Sequence, residues 1–431
     1  MRRLFIFDKE LYSMNILITN IRQLLQVEEQ PAKWVAGKDM ARLEVIEHAW
    51  LLLKDGYIED FGSMRTLDQG AMFDELPDLF IMDVSGKVVM PSFCDSHTHL
   101  VYAGSREKEF VGRIRGLSYE EIAKGGGGIL NSARLLSATP EEELLEQSLK
   151  RLHEVVRQHG TGAIEIKSGY GLDLDNEMKI LRVIDQLKNR CIVEIKATFL
   201  GAHAIPEEFK NNHDKYVDMV VKEMIPAVAS EKLAEFIDVF CEKGFFTTKQ
   251  TSRLLEAGIK HGLIPKIHAN ELDYSGGIQT GVKYNALSVD HLEFTGDDEI
   301  KALLESSTMP TILPGSSFFL GMDYAPARKI IDAGLPVALA SDYNPGSSPS
   351  GNMKFIMSLG CIMQKMLPEE VIHATTLNGA YAMGLEKTHG SICRGKEANV
   401  IITKEIPDYA YLPYAYGTNL IETVIFKGSF I

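Results

Sequence analysis

The middle of the chain, from residue 89 to residue 387, alternates short apolar segments with stretches long enough for a helix, such as Glu141–Gln158. Strands separated by helices pair in parallel, and eight such units in about 300 residues predict a (β/α)₈ TIM-type barrel, an α/β fold. The eight strand candidates are Val88–Phe93, Ala163–Lys167, Val193–Leu200, Ile237–Cys241, Ile264–His268, Leu287–His291, Thr311–Leu313 and Val337–Ala340.

An open, doubly wound sheet is the alternative arrangement of the same alternating elements. Dinucleotide-binding sheets of that kind have a Gly-x-Gly-x-x-Gly turn between a strand and a helix, and this sequence has no such motif there. The glycine run Gly125–Gly128 follows a helical stretch instead. We interpret that run as a flexible lid or hinge, and the barrel is the preferred fold class.

Both ends of the chain have the pattern of strands alone. Apolar runs such as Ala49–Leu53 and Asn399–Thr403 are short. Asp55-Gly56 is a hairpin signal between Ala49–Leu53 and Tyr57-Ile58. Two β-rich ends that flank one barrel predict a small β-sandwich domain made from residues 1–88 and 388–431, with the barrel over 89–387. We expect the first thirteen residues to form a poorly ordered extension.

Composition limits the partners of the chain. The formal net charge is −14, which argues against nucleic acid and anionic membranes, and no apolar run is long enough to span a bilayer. Five cysteines without a Cys-x-x-Cys pair favour a reducing compartment, and the first residues lack the apolar run of a secretory signal. We therefore expect a cytoplasmic protein that acts on a small molecule, as a homodimer.

Ionisable residues follow several of the predicted barrel strands. His97 and His99 come after the first strand, His268 ends the fifth, His291 ends the sixth and Asp342 follows the eighth. Because catalytic groups of barrels lie at the carboxyl ends of the strands, these side chains are expected to converge on one rim. Alternate residues of an extended chain point to one face, so His97 and His99 can bind one ion. The pattern predicts a metal centre.

This pattern of His-x-His, His, His and Asp on a barrel resembles the amidohydrolase superfamily, and the surrounding sequence is similar to that of the imidazolonepropionase family. The resemblance covers nearly the whole chain, and it rests on Asp95–Val101, Glu165–Leu172, Thr198–His203, Val239–Glu242, His268–Leu272 and Ser341–Pro349. The second and the last of these stretches are the most specific. The resemblance implies hydrolysis of the cyclic amide of 4-imidazolone-5-propanoate to N-formimidoyl-L-glutamate, the third step of histidine degradation.

The same resemblance implies a substrate-binding set. The propionate tail of the substrate needs a cationic, planar donor, and the match assigns this role to Arg106, whose guanidinium can bind both carboxylate oxygens. The implied substrate contacts are Arg106, Tyr119, Tyr170, His203, Glu271, Asn344, Gly346 and Ser347.

The resemblance also implies the metal ligands, which are His97, His99, His268 and Asp342. Relatives with two ions bridge them with a lysine at the end of the fourth strand, where this chain has Cys241-Glu242. We therefore expect one divalent ion per chain, zinc with iron as the alternative, because imidazole binds both.

Three residues are expected to be catalytic. Asp342 accepts the proton of the attacking water, His291 hydrogen-bonds the water or the developing oxyanion, and Glu271 helps to move a proton to the leaving nitrogen. Two other functions stay open. A deaminase or another cyclic amidase of the superfamily would also use His268-x-x-Glu271, and a non-catalytic metal-binding scaffold would have little reason to keep Asp342 and Glu271 beside the ion.

Overall fold

Two eight-stranded sheets organise the structure, a computed structural model that describes residues 14–117 and 127–431, apart from the side chains of Ala71 and Phe73. One sheet is a parallel barrel and the other is a separate mixed sheet. The predicted fold class is therefore confirmed. Three residues of the sequence-based interpretation, Tyr119, Gly125 and Gly126, lie outside the described residues, as do residues 1–13.

The barrel strands β6 to β13 pair in parallel, each with the next along the chain. Their bounds are Phe93–Asp95, Thr161–Lys167, Glu194–Ala202, Phe236–Cys241, Ile264–Ala269, Ser288–His291, Met309–Ile312 and Ala338–Leu339. The first and last of them meet just beyond their carboxyl ends, where the amide of Asp342 donates to the carbonyl of His97 (3.0 Å) and the amide of His99 donates to that of Tyr343 (2.9 Å). This seam places His97 and His99, two of the predicted metal ligands, beside Asp342, a third.

Amphipathic helices surround the barrel. Helix α4 (Glu141–Arg157) shows why they form: three glutamates occupy its first turn, where the helix dipole favours negative charge, and one apolar face is buried. The other helices are α1 Gln69–Glu75, α2 Glu107–Ile114, α3 Ile129–Ala138, α5 Leu174–Arg190, α6 His213–Met219, α7 Ile225–Glu231, α8 Thr248–Lys260, α9 Gly277–Lys283, α10 Asp297–Leu304, α11 Pro314–Leu320, α12 Ala327–Asp332, α13 Met353–Ile362, α14 Pro368–Thr375, α15 Leu377–Tyr381 and α16 Tyr411–Tyr414. A π-helical turn, Val220–Met224, joins α6 to α7, and 3₁₀ turns span Gly37–Ala41, Met64–Thr66 and Glu207–Phe209.

The mixed sheet is made from both ends of the chain, as predicted. Its strands are β1 Ile16–Leu25, β2 Val45–Lys54, β3 Tyr57–Ser63, β4 Phe80–Asp83, β5 Lys87–Pro91, β14 Val400–Glu405, β15 Ile421–Phe426 and β16 Ser429–Phe430. The order is β16-β15-β14-β5-β1-β2-β3, and β4 pairs with the first part of β1 on the same edge whose second part pairs with β5. The contact between β5 and β14 joins the N-terminal and C-terminal parts in one sheet.

The expected first barrel strand, Val88–Phe93, is wrong in its extent. Lys87–Pro91 belongs to the mixed sheet, the chain crosses at Ser92, and the barrel strand is only Phe93–Asp95. A Cβ on Gly162 of the neighbouring strand would lie 2.1 Å from the Ser92 hydroxyl, so the crossing is tightly packed. Apart from Ser92 the run is apolar, and it is buried in both sheets, so side-chain periodicity gave no sign of the crossing.

The largest apolar cluster among the described residues packs the barrel strands against the surrounding helices, yet five fully buried side chains on the barrel strands are charged and form ion pairs with one another. We call these five the charged layer, which consists of Glu165, Lys167, Asp238, Lys266 and Asp290. Four of the five cysteines are buried, and Cys361 is partly exposed. Among the described residues, every helix is too short or too polar to cross a membrane.

Candidate metal centre and active site

Three imidazoles converge at the carboxyl ends of the barrel strands. Ligand atoms of His97, His99 and His268 all lie within 4.8 Å of one another. Asp342 Oδ1 lies 3.7 Å from Nε2 of His97 and 3.9 Å from Nε2 of His99, because the seam of the barrel places Asp342 next to both. The described residues therefore bring all four predicted ligands to one point.

The outer nitrogen of each imidazole lies close to an oxygen atom of the protein. Nδ1 of His97 is 2.6 Å from Asp290 Oδ2, Nδ1 of His268 is 2.9 Å from Asp238 Oδ2, and Nδ1 of His99 is 3.3 Å from the Ser168 carbonyl. An acceptor at Nδ1 keeps the proton there and leaves the Nε2 lone pair free to bind a cation.

Two of these inner nitrogens fit a metal ion. Nε2 of His97 and Nε2 of His268 are fully buried and have no hydrogen-bond partner within the described part of the chain. Burial lowers the pKa of His97 and His99 well below the usual range, so both imidazoles are neutral, which is the form that binds metals. Unpaired imidazole nitrogens that face one another beside a carboxylate are the donor set of a divalent cation.

The charged layer lies directly behind the histidines. Lys167 Nζ is 2.6 Å from Glu165 Oε1, 2.8 Å from Asp238 Oδ2 and 3.5 Å from Asp290 Oδ2. Burial opposes the ammonium form, but these carboxylates outweigh it and raise the pKa of Lys167 above the usual value. Lys167 thus stays charged and compensates the two aspartates that hold His97 and His268.

A second acidic and basic pair stands beside the metal ligands. Glu271 Oε2 is 3.7 Å from Nε2 of His291, whose Nδ1 is 3.8 Å from Glu293 Oε2. Burial raises the pKa of Glu271 to about 7. Burial also opposes the imidazolium form of His291, but the nearby carboxylates, led by Glu271, raise its pKa to about 10. The pair can therefore hold and pass a proton near neutral pH.

A cavity of about 600 Å³ opens above this centre. Seven of the eight predicted substrate contacts line it, and Tyr119 is outside the described residues. The seven are Arg106, Tyr170, His203, Glu271, Asn344, Gly346 and Ser347. Apolar side chains, among them Phe240, Phe245 and Leu320, make up much of the remaining wall.

Two arginines stand at the outer end of the cavity. Nε and Nη2 of Arg106 donate to Glu109 Oε2 at 2.9 and 2.7 Å, and the other oxygen of Glu109 accepts from the amide of Gly128. Arg113 donates to the carbonyl of Gly346 at 3.3 Å. A Cβ on Gly346 would lie 2.1 Å from Nη1 of Arg106, so glycine leaves room for the guanidinium. We call Arg106, Arg113, Tyr170, Asn344 and Gly346 the mouth.

The turn after Asp342 is held by its own side chains. Asn344 Oδ1 accepts from the amides of Gly346 (2.7 Å) and Ser347 (2.8 Å), and its amide group donates to the carbonyl of Asp342. The Ser347 hydroxyl donates to Asp342 Oδ2 at 3.2 Å, which leaves Oδ1 toward the histidines. Asn344 therefore shapes the turn, and its amide group is already bonded within it.

Sequence reasoning missed the groups that orient the histidines. Asp238 and Asp290 lie inside apolar strands, and a charged residue in such a strand was the available signal. Arg113 was missed as well. It lies on a helix with the sequence of a surface helix, and its contact with the Gly346 carbonyl depends on the path of the loop that contains Gly346. Glu177 and Glu242, which accept backbone amides around the cavity, gave no signal that distinguishes them from surface glutamates.

Comparison with known proteins agrees with this geometry. The family model described as "Amidohydrolase family" matches residues 88–430. An imidazolonepropionase from Christiangramia forsetii is 55% identical over 418 residues, which are 97% of this chain and 100% of that protein. One from Flavobacterium johnsoniae is also 55% identical over 418 residues, with the same coverage of both chains.

Solved structures agree on the fold. Guanine deaminase from E. coli superposes with a TM-score of 0.71 at 14% identity, and the match covers 97% of this chain and 99% of that one. Identity this low establishes the barrel and its accompanying sheet but says nothing about the substrate. Sequence identity and the matched model together show that the chain belongs to the amidohydrolase family and, within it, to the imidazolonepropionase family.

Proposed function

We propose that the chain hydrolyses the ring amide of 4-imidazolone-5-propanoate and releases N-formimidoyl-L-glutamate, the third step of histidine degradation. The observation that supports this most is the meeting of three imidazoles, Asp342 and the Glu271–His291 pair at the base of one cavity. The relatives named imidazolonepropionase, at 55% identity over nearly the whole chain, support the choice of substrate.

The metal ligands are His97, His99, His268 and Asp342. A divalent cation there supplies Lewis-acid activation of water and of the ring carbonyl. Asp342 accepts the proton of the attacking water, and the hydroxyl of Ser347 holds its carboxylate in place.

Glu271 and His291 act on the ring itself. As the carbonyl carbon gains the water oxygen and its bond to the ring nitrogen breaks, Glu271 delivers the proton that the leaving nitrogen needs. His291 donates a hydrogen bond to the negative charge that develops on the carbonyl oxygen. The raised pKa of Glu271, about 7, keeps a proton available for this step.

The mouth binds the propionate tail. Arg106 provides the planar guanidinium, and the pairing with Glu109 fixes its orientation before substrate arrives. Tyr119, Tyr170 and His203 complete the contacts to the substrate. The backbone of Gly346 and the hydroxyl of Ser347 bind the amino-acid part of the opened product.

The resident ion is one zinc, with iron as the alternative, and the enzyme works as a cytoplasmic homodimer. Three imidazoles and one carboxylate suit zinc. Lys243, the lysine just past the fourth barrel strand, pairs with Asp273 on the surface, so it is not placed to bridge a second ion. Metal analysis of protein purified without added metal should give one equivalent per chain, and sedimentation should give the dimer mass.

The decisive experiment is a direct assay. Purified protein is mixed with 4-imidazolone-5-propanoate, and the ultraviolet absorbance of the ring is followed with and without a chelator. Loss of absorbance that the chelator prevents supports the proposal. Ammonia release from an aminated heterocycle, with the imidazolone left intact, would establish a deaminase instead, and inactivity on both would favour a scaffold.

A further inference from the structure

A buried carboxylate holds the loop that follows the second barrel strand. Glu177, fully buried in the first turn of α5, accepts the amides of Gly169 (3.1 Å), Gly171 (2.7 Å) and Leu172 (3.0 Å). The side chain of Ser168 also hydrogen-bonds to it. Among the described residues no lysine or arginine forms an ion pair with Glu177, so these donors are what compensates its charge.

The loop has a backbone conformation that needs such support. Gly169 has φ +108° and Leu172 has φ +62°, a left-handed geometry that is costly for a residue with a side chain. At Gly171 a Cβ would lie 2.3 Å from the amide of Glu177, so the loop is pressed against the start of the helix. Three amides directed at one carboxylate keep this arrangement fixed.

The held loop presents two substrate contacts to the cavity. It contains Tyr170, and the carbonyl of Gly169 lies 3.0 Å from Nδ1 of His203. That contact keeps the His203 proton on Nδ1, which leaves Nε2 as an acceptor. Glu177 therefore orients two binding side chains without lining the cavity.

A second buried carboxylate does the same for the opposite wall. Glu242, just past β9, accepts the amides of Glu271 (2.7 Å) and Leu272 (3.3 Å) and is nearly fully buried. Asn270, the residue before Glu271, has φ +57°, so the segment that contains Glu271 also leaves its strand in a left-handed turn. The side chain that this segment presents is Glu271, the proton carrier of the proposed reaction.

We propose that Glu177 and Glu242 are positioning residues with separate duties: Glu177 fixes the wall that binds the substrate, and Glu242 fixes the wall that moves the proton. The proposal rests on the proposed function for its kinetic test. Its structural basis, two buried carboxylates that each clamp one cavity segment by its amides, stands without it.

Glu177→Gln and Glu242→Gln test the division of duties, because glutamine keeps the shape but loses the charge and one acceptor oxygen. Glu177→Gln should raise KM about tenfold with kcat within about threefold of wild type, since binding contacts act in both ground and transition states. Glu242→Gln should lower kcat about ten- to a hundredfold with KM within about threefold, because a small misplacement of Glu271 slows proton transfer. Equal changes of KM and kcat in both variants, or the reverse assignment, would overturn the proposal.

Glu370→Gln is the matched control. Glu370 is equally buried and accepts the amide of Leu367 at the start of α14, but it does not line the cavity. It differs from Glu177 in one respect, because it also forms an ion pair with Arg328 at 2.8 Å. This variant should lower the melting temperature and leave KM and kcat unchanged. If Glu177→Gln does not fold, Ser168→Ala removes one contact to Glu177 and should raise KM about threefold.

Amide hydrogen exchange separates failure of this proposal from failure of the proposed function. Without substrate, Glu177→Gln should speed exchange in residues 168–172 only, and Glu242→Gln in residues 270–273 only. If wild type leaves the imidazolone intact, the proposed function fails while this result still supports the clamps. Two outcomes would rule the clamps out. One is faster exchange across the whole barrel in both variants, and the other is unchanged exchange in residues 168–172 and 270–273.

Discussion

The charged layer and the mouth lie on opposite sides of the metal histidines and are built in different ways. Every member of the charged layer is on a barrel strand, fully buried and in ionic contact with another side chain. In the mouth, Arg106 and Arg113 lie at the start of helix α2 and within it, and the other members lie in loops that follow barrel strands. Contacts with backbone atoms of Gly346 hold Arg113 and Asn344.

This difference separates two requirements of catalysis. Metal ligands need fixed directions, and rigid strands with a compensated set of charges behind them provide these. Substrate choice needs shapes that can change between relatives, and loops can change without disturbing the barrel. The match in fold to a guanine deaminase at 14% identity shows that the scaffold is shared while most of the sequence differs. Substitutions in the charged layer should therefore change metal affinity, and those in the mouth should change KM.

The largest effect on turnover is expected at Glu271, which lies between the charged layer and the mouth. Glu271→Gln should keep the metal and near-normal KM but lower kcat by roughly 10²–10⁴, the usual contribution of general acid–base catalysis. Asp342→Asn, the matched variant on the metal side, should abolish turnover and also weaken metal retention, because an amide is a poorer ligand. Stopped assays and metal analysis measure both. Loss of metal from Glu271→Gln would make Glu271 a ligand, and full activity would remove its role.

The charged layer should respond next. Asp238→Asn removes the carboxylate beside Nδ1 of His268 and should weaken metal binding about 10- to 100-fold. Competition with a chelating dye measures the affinity, and circular dichroism checks the fold. Arg106→Ala is the control, since it lies in the mouth and should leave metal affinity unchanged. Equal metal affinity in Asp238→Asn and wild type would show that the layer serves stability alone.

In the mouth, Arg106→Ala should raise KM about tenfold or more and lower kcat less, because the tail is bound in ground and transition states alike. Arg106→Lys should recover only part of the loss, since one ammonium cannot bind both oxygens in the same way. Loss of Arg106 also leaves Glu109 buried without its partner, and this carboxylate would repel the substrate. The double variant Arg106→Ala/Glu109→Gln removes that repulsion. Recovery of wild-type KM in the double variant would place the tail elsewhere.

The smallest effect is a pH dependence of stability near the charged layer. Burial raises the pKa of Asp95 from 3.8 to about 7, so the folded protein binds this proton more tightly than the unfolded chain. The stabilisation is complete below the unfolded pKa and is lost as pH rises through about 7. Urea unfolding of metal-free protein at about pH 5 and about pH 8 should show this fall, and Asp95→Asn should reduce it. Equal falls in both proteins would exclude Asp95 as its source.

Local patterns in the sequence account for the barrel and for most of the candidate site. Alternating elements gave the fold class, and the strand ends gave His97, His99, His268 and Asp342, because position at a strand end is a local property that the barrel converts into proximity. One feature of the fold could not be predicted from such local patterns. The crossing at Ser92 was missed because apolar residues run through both sheets.

Tertiary structure alone decided which charges orient the metal ligands. His97 meets Asp290 across 193 residues of sequence, and Lys167 meets Asp238 across 71. A charge inside an apolar strand marks such residues as unusual, but a single sequence does not show which partner each of them meets when the barrel closes. The residue types at the strand ends thus predicted a group of side chains that could hold a metal ion. The packing of strands far apart in the chain determined which carboxylate lies beside His97 and which beside His268, because a buried charge is stable only where the fold supplies its partner.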